Sequence, residues 1–432
     1  LDKPPLELSR DFEQALHLIE DEGRNVFVTG RAGTGKSTLL QLFRRTTRKK
    51  VAVVAPTGIA ALNVGGQTIH SFFGFPAKPL TKQELKKRRD RKLYKNLEVL
   101  VIDEISMVRA DLLDNIDHFL RLNREVPAPF GGLQVVFFGD VFQLPPVVAN
   151  DIEAMRFQLE YQSPYFFSAH VFDDPLFSMD MMELNKVYRQ DNRNFLRLLE
   201  AVRLNRVDYD DLDDLNSRYL PQFEAEDYYI TLSARNATVD RINDAELSRI
   251  PLEEQVYPAK ISGQFNPRLY PADPLMKLKL GAQVMFVKND PDRRFVNGTI
   301  GKIVGMGKDA VTVQVEGPDG SPQKIEASPV EWEILKYKPS EKDPSAIETE
   351  VLGTFAQLPL RLAWAITIHK SQGKTFDKVI IDMGRGAFEH GQTYVALSRC
   401  RSLGGIVLKQ KLRHQDILTD QRVVEFYEAH FR

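Results

Sequence analysis

Cysteine is almost absent: Cys400 is the one thiol in 432 residues. That excludes an intrachain disulfide and any cysteine-cluster zinc or iron–sulfur site, and it fits a reducing compartment. Long hydrophobic runs are missing too. No segment approaches the ~18 apolar residues of a membrane span, and the opening Leu1-Asp2-Lys3-Pro4-Pro5 has no signal-peptide core. The expectation is an intracellular protein without a membrane partner, cytoplasmic in a bacterium and nuclear or mitochondrial in a eukaryote. Net charge is lacking as well. Fifty-eight Lys and Arg against 59 Asp and Glu leave −1, so any polyanion-binding surface has to be a local patch. With 43% hydrophobic and 27% charged residues, the chain is neither collagen-like, low-complexity nor wholly disordered.

The first ~150 residues, about one domain's worth, repeat a short β-branched run, a Gly/Pro/Asp punctuation and a helical stretch. The runs are Asn25 to Thr29, Val51 to Ala55, Leu97 to Ile102 and Leu133 to Phe138. Each is too short for a globular helix and too continuous for a surface strand, which predicts buried strands of a parallel α/β sheet. Between the second and third lies Lys78 to Lys95, with nine Lys or Arg against Glu84 and Asp90. It reads either as a solvated helix or as a phosphate-facing insertion beside a nucleic-acid track. After Phe172-Asp173-Asp174-Pro175 the pattern restarts with the helical period of Leu184 to Leu204 and the run Tyr228 to Leu232. From Gly281 to about Gly353 the strand candidates Gln283 to Val287, Thr299 to Val304, Val311 to Val315 and Gln323 to Glu326 lie close together. The turn signals Asn297-Gly298 and Asp319-Gly320 accompany them, predicting a small antiparallel barrel. Pro339 to Thr349 reads as its exposed loop. The α/β texture returns at Leu362 to Ile368, Lys378 to Ile381 and Gly405 to Leu408.

Gly30-Arg31-Ala32-Gly33-Thr34-Gly35-Lys36-Ser37 matches the P-loop pattern between a strand candidate and the amphipathic run Ser37 to Arg45. Its glycines let backbone N–H groups converge on phosphate, Lys36 reaches the β and γ phosphates, and Ser37 can ligate magnesium. The ligands expected at this loop are nucleotide phosphates and Mg²⁺. Leu97 to Ile102 delivers Asp103 to the sheet's carboxyl edge, where it can hold the metal shell, and Glu104 is placed to deprotonate an attacking water. Adjacent Asp-Glu favours hydrolysis over phosphoryl transfer to a small substrate, which disfavours a metabolic kinase. A third strand ends in Gly139-Asp140-Val141-Phe142-Gln143-Leu144-Pro145-Pro146, where Gln143 can sense the γ phosphate.

These segments stand with Ala55-Pro56-Thr57-Gly58-Ile59-Ala60-Ala61, Thr68-Ile69-His70-Ser71-Phe72 and Thr367-Ile368-His369-Lys370-Ser371-Gln372-Gly373-Lys374-Thr375. Together they resemble a superfamily 1 helicase, and more narrowly the 1B branch that includes the RecD subunit and the petite-integration-frequency (Pif) helicases. Glu183-Leu184-Asn185-Lys186-Val187-Tyr188-Arg189-Gln190 is similar to the Pif signature, and Tyr394-Val395-Ala396-Leu397-Ser398-Arg399 to the last helicase motif. The resemblance implies an ATP-dependent 5′ to 3′ DNA helicase with two RecA-like parallel-sheet domains in tandem, ATP between them and single-stranded DNA across their tops. It further implies a small insertion in the first domain and an SH3-like barrel in the second. The expected boundaries are 1–175 for domain 1A, with insertion 1B at about 74–96, then 176–280 plus 354–432 for domain 2A and 281–353 for insert 2B.

On the same resemblance Arg189 and Arg399 are arginine fingers, and Gln372 and Gly373 complete a nucleotide pocket formed with Gly33, Thr34, Gly35, Lys36, Ser37 and Thr38. Gln14 resembles an adenine-reading glutamine. Thr57, Gly58, His70, Phe72, Thr231, Asn236, His369, Lys370 and Ser371 fall in strand-binding motifs. Each also has an ordinary structural reading, Phe72 as a core ring and His70 or His369 as a satisfied buried imidazole. Arg235 stands where a Thr is common in the family, which makes it either a compensating phosphate contact or the mark of a shifted contact. Single-stranded, duplex and fork DNA are the implied partners, with a monomer the favoured state. Structured DNA such as G-quadruplexes, and roles in replication, repair, recombination or telomere maintenance, follow from the family. The alternative is a DNA-binding P-loop switch that does not translocate; its ATP turnover would be poorly coupled to strand length.

Overall fold

Continuous apolar strands need cover on both faces, and here they obtain it in parallel sheets. The computed structural model describes residues 9–76, 78–148, 151–188, 192–292, 294–317, 320–343, 345–387 and 389–431. The chain divides into two compact units, Leu1–Tyr188 with Leu335–Val351 and Asp420–Arg432, and Arg189–Ile334 with Leu352–Thr419.

The first unit is built on a parallel six-stranded sheet. Its strands are β1 (Val26–Gly30), β2 (Val51–Ala55), β3 (Gln67–Thr68), β4 (Val99–Ile102), β5 (Gln134–Phe138) and β6 (Asp180–Leu184), ordered β3-β2-β4-β5-β1-β6. Val26, Phe27, Val28, Val99 to Ile102 and Val135 to Phe138 are completely buried, as the unbroken apolar runs require. Its helices are α1 (Arg10–Leu16), α2 (Lys36–Thr46), α3 (Gly58–Val64), α4 (Ile69–Phe73), α5 (Lys92–Asn96), α6 (Ala110–Arg124) and α7 (Asp151–Glu160).

Two strands escape the sequence reading. β3 has two residues, too few for a period. β6 is the Met-rich run Asp180-Met181-Met182-Glu183-Leu184, and it pairs with β1 over its whole length. The expected change of domain after Pro175 is therefore corrected: β6 belongs to the first sheet, and Met182 and Leu184 join its core.

The second unit carries α8 (Arg193–Arg203), α9 (Tyr209–Asn216), β7 (Ile230–Ser233) and α10 (Asn236–Arg249) before the β-rich insert. The insert contains β8 (Gln255–Pro258), β9 (Lys260–Gly263), β10 (Leu275–Leu278), β11 (Gln283–Phe286), β12 (Ile300–Met306), β13 (Val311–Glu316), β14 (Pro322–Ala327), β15 (Val330–Pro339), β16 (Ile347–Gln357) and β17 (Leu360–Leu362); of these, the end of β15 and the start of β16, within Leu335–Val351, belong to the first unit. It is followed by β18 (Ala365–Thr367), β19 (Val379–Asp382), α11 (Gln392–Ser398) and β20 (Ile406–Leu408). β18-β7-β19-β20 form a second parallel sheet. Strands β14-β13-β12-β11-β17 form an antiparallel one.

The insert is wider than 281–353. β9 pairs with β16 and β17 with β11, so its pairing reaches both earlier and later in the chain. Nor is Pro339 to Thr349 all loop, because β15 runs through Pro339 and β16 starts at Ile347. The last helix, α12 (Gln421–Phe431), returns to the first unit. There the Tyr427 hydroxyl donates to Glu183 Oε2 at 2.8 Å.

Candidate functional site

In the first sheet β4, β5 and β1 are neighbours. Their carboxyl ends therefore bring together Asp103-Glu104, Asp140 with Gln143, and the Gly30 to Ser37 loop, segments far apart in sequence. The loop turns where glycine is needed: Gly33 and Gly35 have φ 86° and 88°, in the left-handed region. A Cβ on Gly30 would lie 2.5 Å from Thr34 Oγ1. Lys36 Nζ donates to Gly30 O at 2.7 Å and Arg31 O at 3.1 Å, which holds the ammonium inside the loop. As the N-cap, Gly35 offers no side chain to the first-turn amides of α2, and a helix N-terminus of this kind suits an anion.

Asp103 N donates to Val54 O at 2.9 Å. Burial first, then the neighbouring Glu104 carboxylate, pushes its acid up to about 7, and Lys36 pulls the other way. Glu104 itself has φ 51°, an uncommon conformation for a residue with a Cβ. It turns the backbone sharply between strand and helix. Gln143 is half-buried beside the fully buried Asp140, its Nε2 3.4 Å from Asp140 Oδ2. Gln14 lies on the exposed side of α1, whose Phe12 is buried. Arg189 lies outside the described residues.

In the second unit Gln372, Gly373 and Arg399 come together. Arg399 is 1% exposed. Its Nε donates to Val395 O at 3.0 Å, Nη1 to Ser371 O at 3.4 Å and Nη2 to Ser398 Oγ at 3.0 Å. Nη1 also donates to Lys374 O at 3.5 Å, and Gly373, with φ 74°, lies in the turn between Ser371 and Lys374.

A family profile described as "PIF1-like helicase" matches residues 7–212, and one described as "DNA helicase Pif1, 2B domain" matches residues 270–306. The ATP-dependent DNA helicase Pif1 of Bdellovibrio bacteriovorus is 33% identical, over 98% of this chain and 92% of its own. The chain belongs to the PIF1-like helicase family. The ATP-dependent DNA helicase PIF1 of Emericella nidulans is 32% identical over 98% of this chain, which spans 63% of that longer protein. Among solved structures, Pif1 from Bacteroides sp in complex with ADP-AlF4 superposes with a TM-score of 0.91. It is 38% identical and covers 98% of this chain and 97% of that one. The two RecA-like parallel sheets and the β-rich insertion are thus the architecture of this family.

The residues that the Pif resemblance assigns to DNA separate in the structure. Thr57 caps α3 by accepting from Ala60 N at 3.2 Å, with Gly58 as the helix's first residue. His70 is half-buried, and desolvation lowers its pKa, so its imidazole is neutral at pH 7. Asn236, His369 and Lys370 are exposed; His369 Nε2 lies 3.6 Å from Glu389.

Three others are not displayed as base- or phosphate-contacting side chains, and these expectations are corrected. Phe72 is 3% exposed and packs edge-on against Phe73, Tyr94 and Tyr337, so its ring is core. Ser371 is fully buried, its hydroxyl donating to Ile368 O at 2.6 Å. Thr231 is buried within β7, between β18 and β19.

Tyr188 lies in the Pif-like signature, which by itself gives it no role. Its N donates to Gly33 O at 3.0 Å, and its half-exposed ring comes within 3.6 Å of a Cβ position on Gly35. An aromatic next to the arginine was the available signal. Lys374 was likewise missed. Burial, then Arg361 and Arg399, push its ammonium down to about 8.

Proposed function

We propose that the protein is an ATP-dependent DNA helicase that translocates 5′ to 3′ on single-stranded DNA and unwinds duplex and structured DNA. The observation that carries this reading is the meeting of Lys36, Asp103-Glu104 and Gln143 at adjacent strand ends. It is supported by the names of the family's members, which are ATP-dependent DNA helicases.

Lys36 and the α2 amides hold the β and γ phosphates. The hydroxyl of Ser37 and the carboxylate of Asp103 are the hard oxygen donors that would hold Mg²⁺, which would supply positive charge to the phosphates. Glu104 takes the proton of the attacking water, and Gln143 orients that water or reads the γ phosphate. Arg399, with Arg189, stabilises charge on the transferred phosphoryl group. Gln14 reads adenine from α1, and Tyr188 supplies a flat wall at the Gly35 end of the loop. Gln372 and Gly373 position Arg399 through their turn.

Thr57, Gly58, His70, Asn236, His369 and Lys370 contact the strand, sequence-tolerantly through its phosphates. The basic segment Lys78 to Lys95 is insertion 1B and faces DNA at the point of duplex opening. Domain 1A with 1B is the part of the first unit up to Tyr188, and domain 2A with insert 2B takes in the second unit together with Leu335–Val351 of the first. The protein acts as a monomer, inside the cell, in the compartment of its DNA; no described helix is long and apolar enough to cross a membrane.

The experiment is ATP-dependent strand displacement on matched duplexes with a 5′ or a 3′ single-stranded tail, with Lys36→Ala as control. Displacement on the 5′ tail alone is expected. Displacement only on the 3′ tail overturns the polarity, and none on either, with ATP turnover indifferent to strand length, leaves a switch.

A further inference from the structure

Helix α6 leads directly out of the acidic pair: Glu104 is followed by the turn Ile105–Met107 and then by Ala110–Arg124. The basic segment is tied along this helix. Asn115 Nδ2 donates to Leu80 O at 3.1 Å, and Asn123 Oδ1 accepts from Arg88 N at 2.7 Å. The Arg88 guanidinium lies 5.7 Å from the Phe119 ring centroid and donates to Phe73 O at 2.6 Å. Residues 115, 119 and 123, four apart, share one face of the helix. Just beyond the last turn Glu125 gathers three cations, Lys87, Arg91 at 2.8 Å and Lys95 at 2.6 Å.

Glu125 breaks two local rules. A carboxylate at a helix C-terminus meets the negative end of the dipole, and its φ of 60° is a conformation that a C-terminal cap usually gives to glycine or asparagine. Neither suits the helix. The compensating gain is the three-cation network, which holds the Glu125 carboxyl down at about 2. Lys82, Lys86, Arg89 and Lys92 meanwhile stay exposed.

We infer that Glu125, with Asn123, is a positioning residue for strand separation, clamping the basic segment to the far end of the helix that begins at the catalytic acids. This rests on the reading that the segment faces DNA. Hydrolysis does not need the clamp; duplex opening does.

The test compares single-stranded-DNA-stimulated ATP hydrolysis with displacement of a 5′-tailed duplex, in the full chain. Glu125 is 42% exposed, so its variants avoid the folding risk of the fully buried Asn123. Glu125→Lys is expected to lower the displacement rate about tenfold while stimulated hydrolysis stays within about twofold. Glu125→Asp, which keeps the charge, should recover most of the loss. If hydrolysis and displacement fall together, Glu125 is merely structural and the inference is wrong; if neither changes, it is wrong too.

A variant with Lys82, Lys86, Arg89 and Lys92 changed to Ala separates the two levels. Should it leave displacement and the salt dependence of DNA binding intact, the DNA-facing reading fails and the clamp with it. A loss in that variant beside a normal Glu125→Lys protein sinks the clamp alone.

Discussion

The two units hold their key side chains in opposite ways. In the first, Asp103 and Glu104 stand on the turn after β4 and Lys36 opens α2, all three partly exposed, positioned by glycines and by one left-handed backbone at Glu104, with the Lys36 ammonium held by two loop carbonyls. In the second, Arg399 and Ser371 are buried, with their polar groups bonded to backbone carbonyls of neighbouring turns. The first arrangement separates chemistry from stability, because a group on a turn can change without opening a cavity. The second merges them, because a buried guanidinium that loses its carbonyls, or leaves them unpaired, costs folding free energy.

That contrast can be broken by substitution, and the largest effect belongs to the first unit. Lys36→Ala should bring ATP hydrolysis to background with a melting temperature near the parent's, measured by phosphate release and thermal unfolding. Glu104→Gln should keep nucleotide binding and lose about 10²–10⁴ in turnover. An unaltered turnover would remove Glu104 as the base. Arg399→Ala should slow hydrolysis by about 10³ and, unlike the Lys36 and Glu104 changes, also lower the melting temperature. A variant that is slow but fully stable would erase the distinction between the units.

Next in size is Phe72→Ala, expected to cost about 3–5 kcal/mol of stability as a large-to-small core change. Denaturant unfolding measures it. Phe72→Leu, which keeps much of the volume, should bind single-stranded DNA like the parent; weakened binding in a stable Phe72→Leu protein would return the ring to the DNA track.

The smallest effect concerns Lys374. Its ammonium has a folded pKa of about 8 against 10.5 for the free group, so between these values the unfolded chain binds more protons and stability rises with pH. Below about 8 the cost of the buried charge is fully present. Lys374→Met should therefore raise the melting temperature by a few degrees at pH 7. The gain should shrink as pH climbs from about 8 towards 10.5; a gain that does not depend on pH would point to packing instead.

The legibility of the sequence followed the range of the interactions involved. β2 was readable because Val51 to Ala55 is an unbroken apolar run, the mark of burial on two faces. β6 was not, since Asp180 to Leu184 becomes a strand by pairing with β1, more than 150 residues earlier. The P-loop was readable because phosphate chemistry demands particular residues at adjacent positions. The burial of Phe72 is not legible, because an aromatic inside a strand-binding motif has the same sequence whether it faces a base or Tyr94. Glu125 carried no signal at all. It looks like one more surface acid until Lys87, Arg91 and Lys95 are seen around it.

By itself, then, the chain's order of residues determined the two parallel sheets, the antiparallel insert and the motifs from which phosphate-handling groups are proposed. These rest on local periodicity and on short motifs whose spacing is chemistry. Only the tertiary structure decided which motif residues are displayed and which are consumed: Phe72 and Ser371 inside, His369 and Lys370 outside, Tyr188 beside Gly33 and the basic segment fastened to α6. The physical reason is that exposure and ion pairing depend on what distant segments bring to the same place, and a one-dimensional pattern of polar and apolar residues does not carry that information.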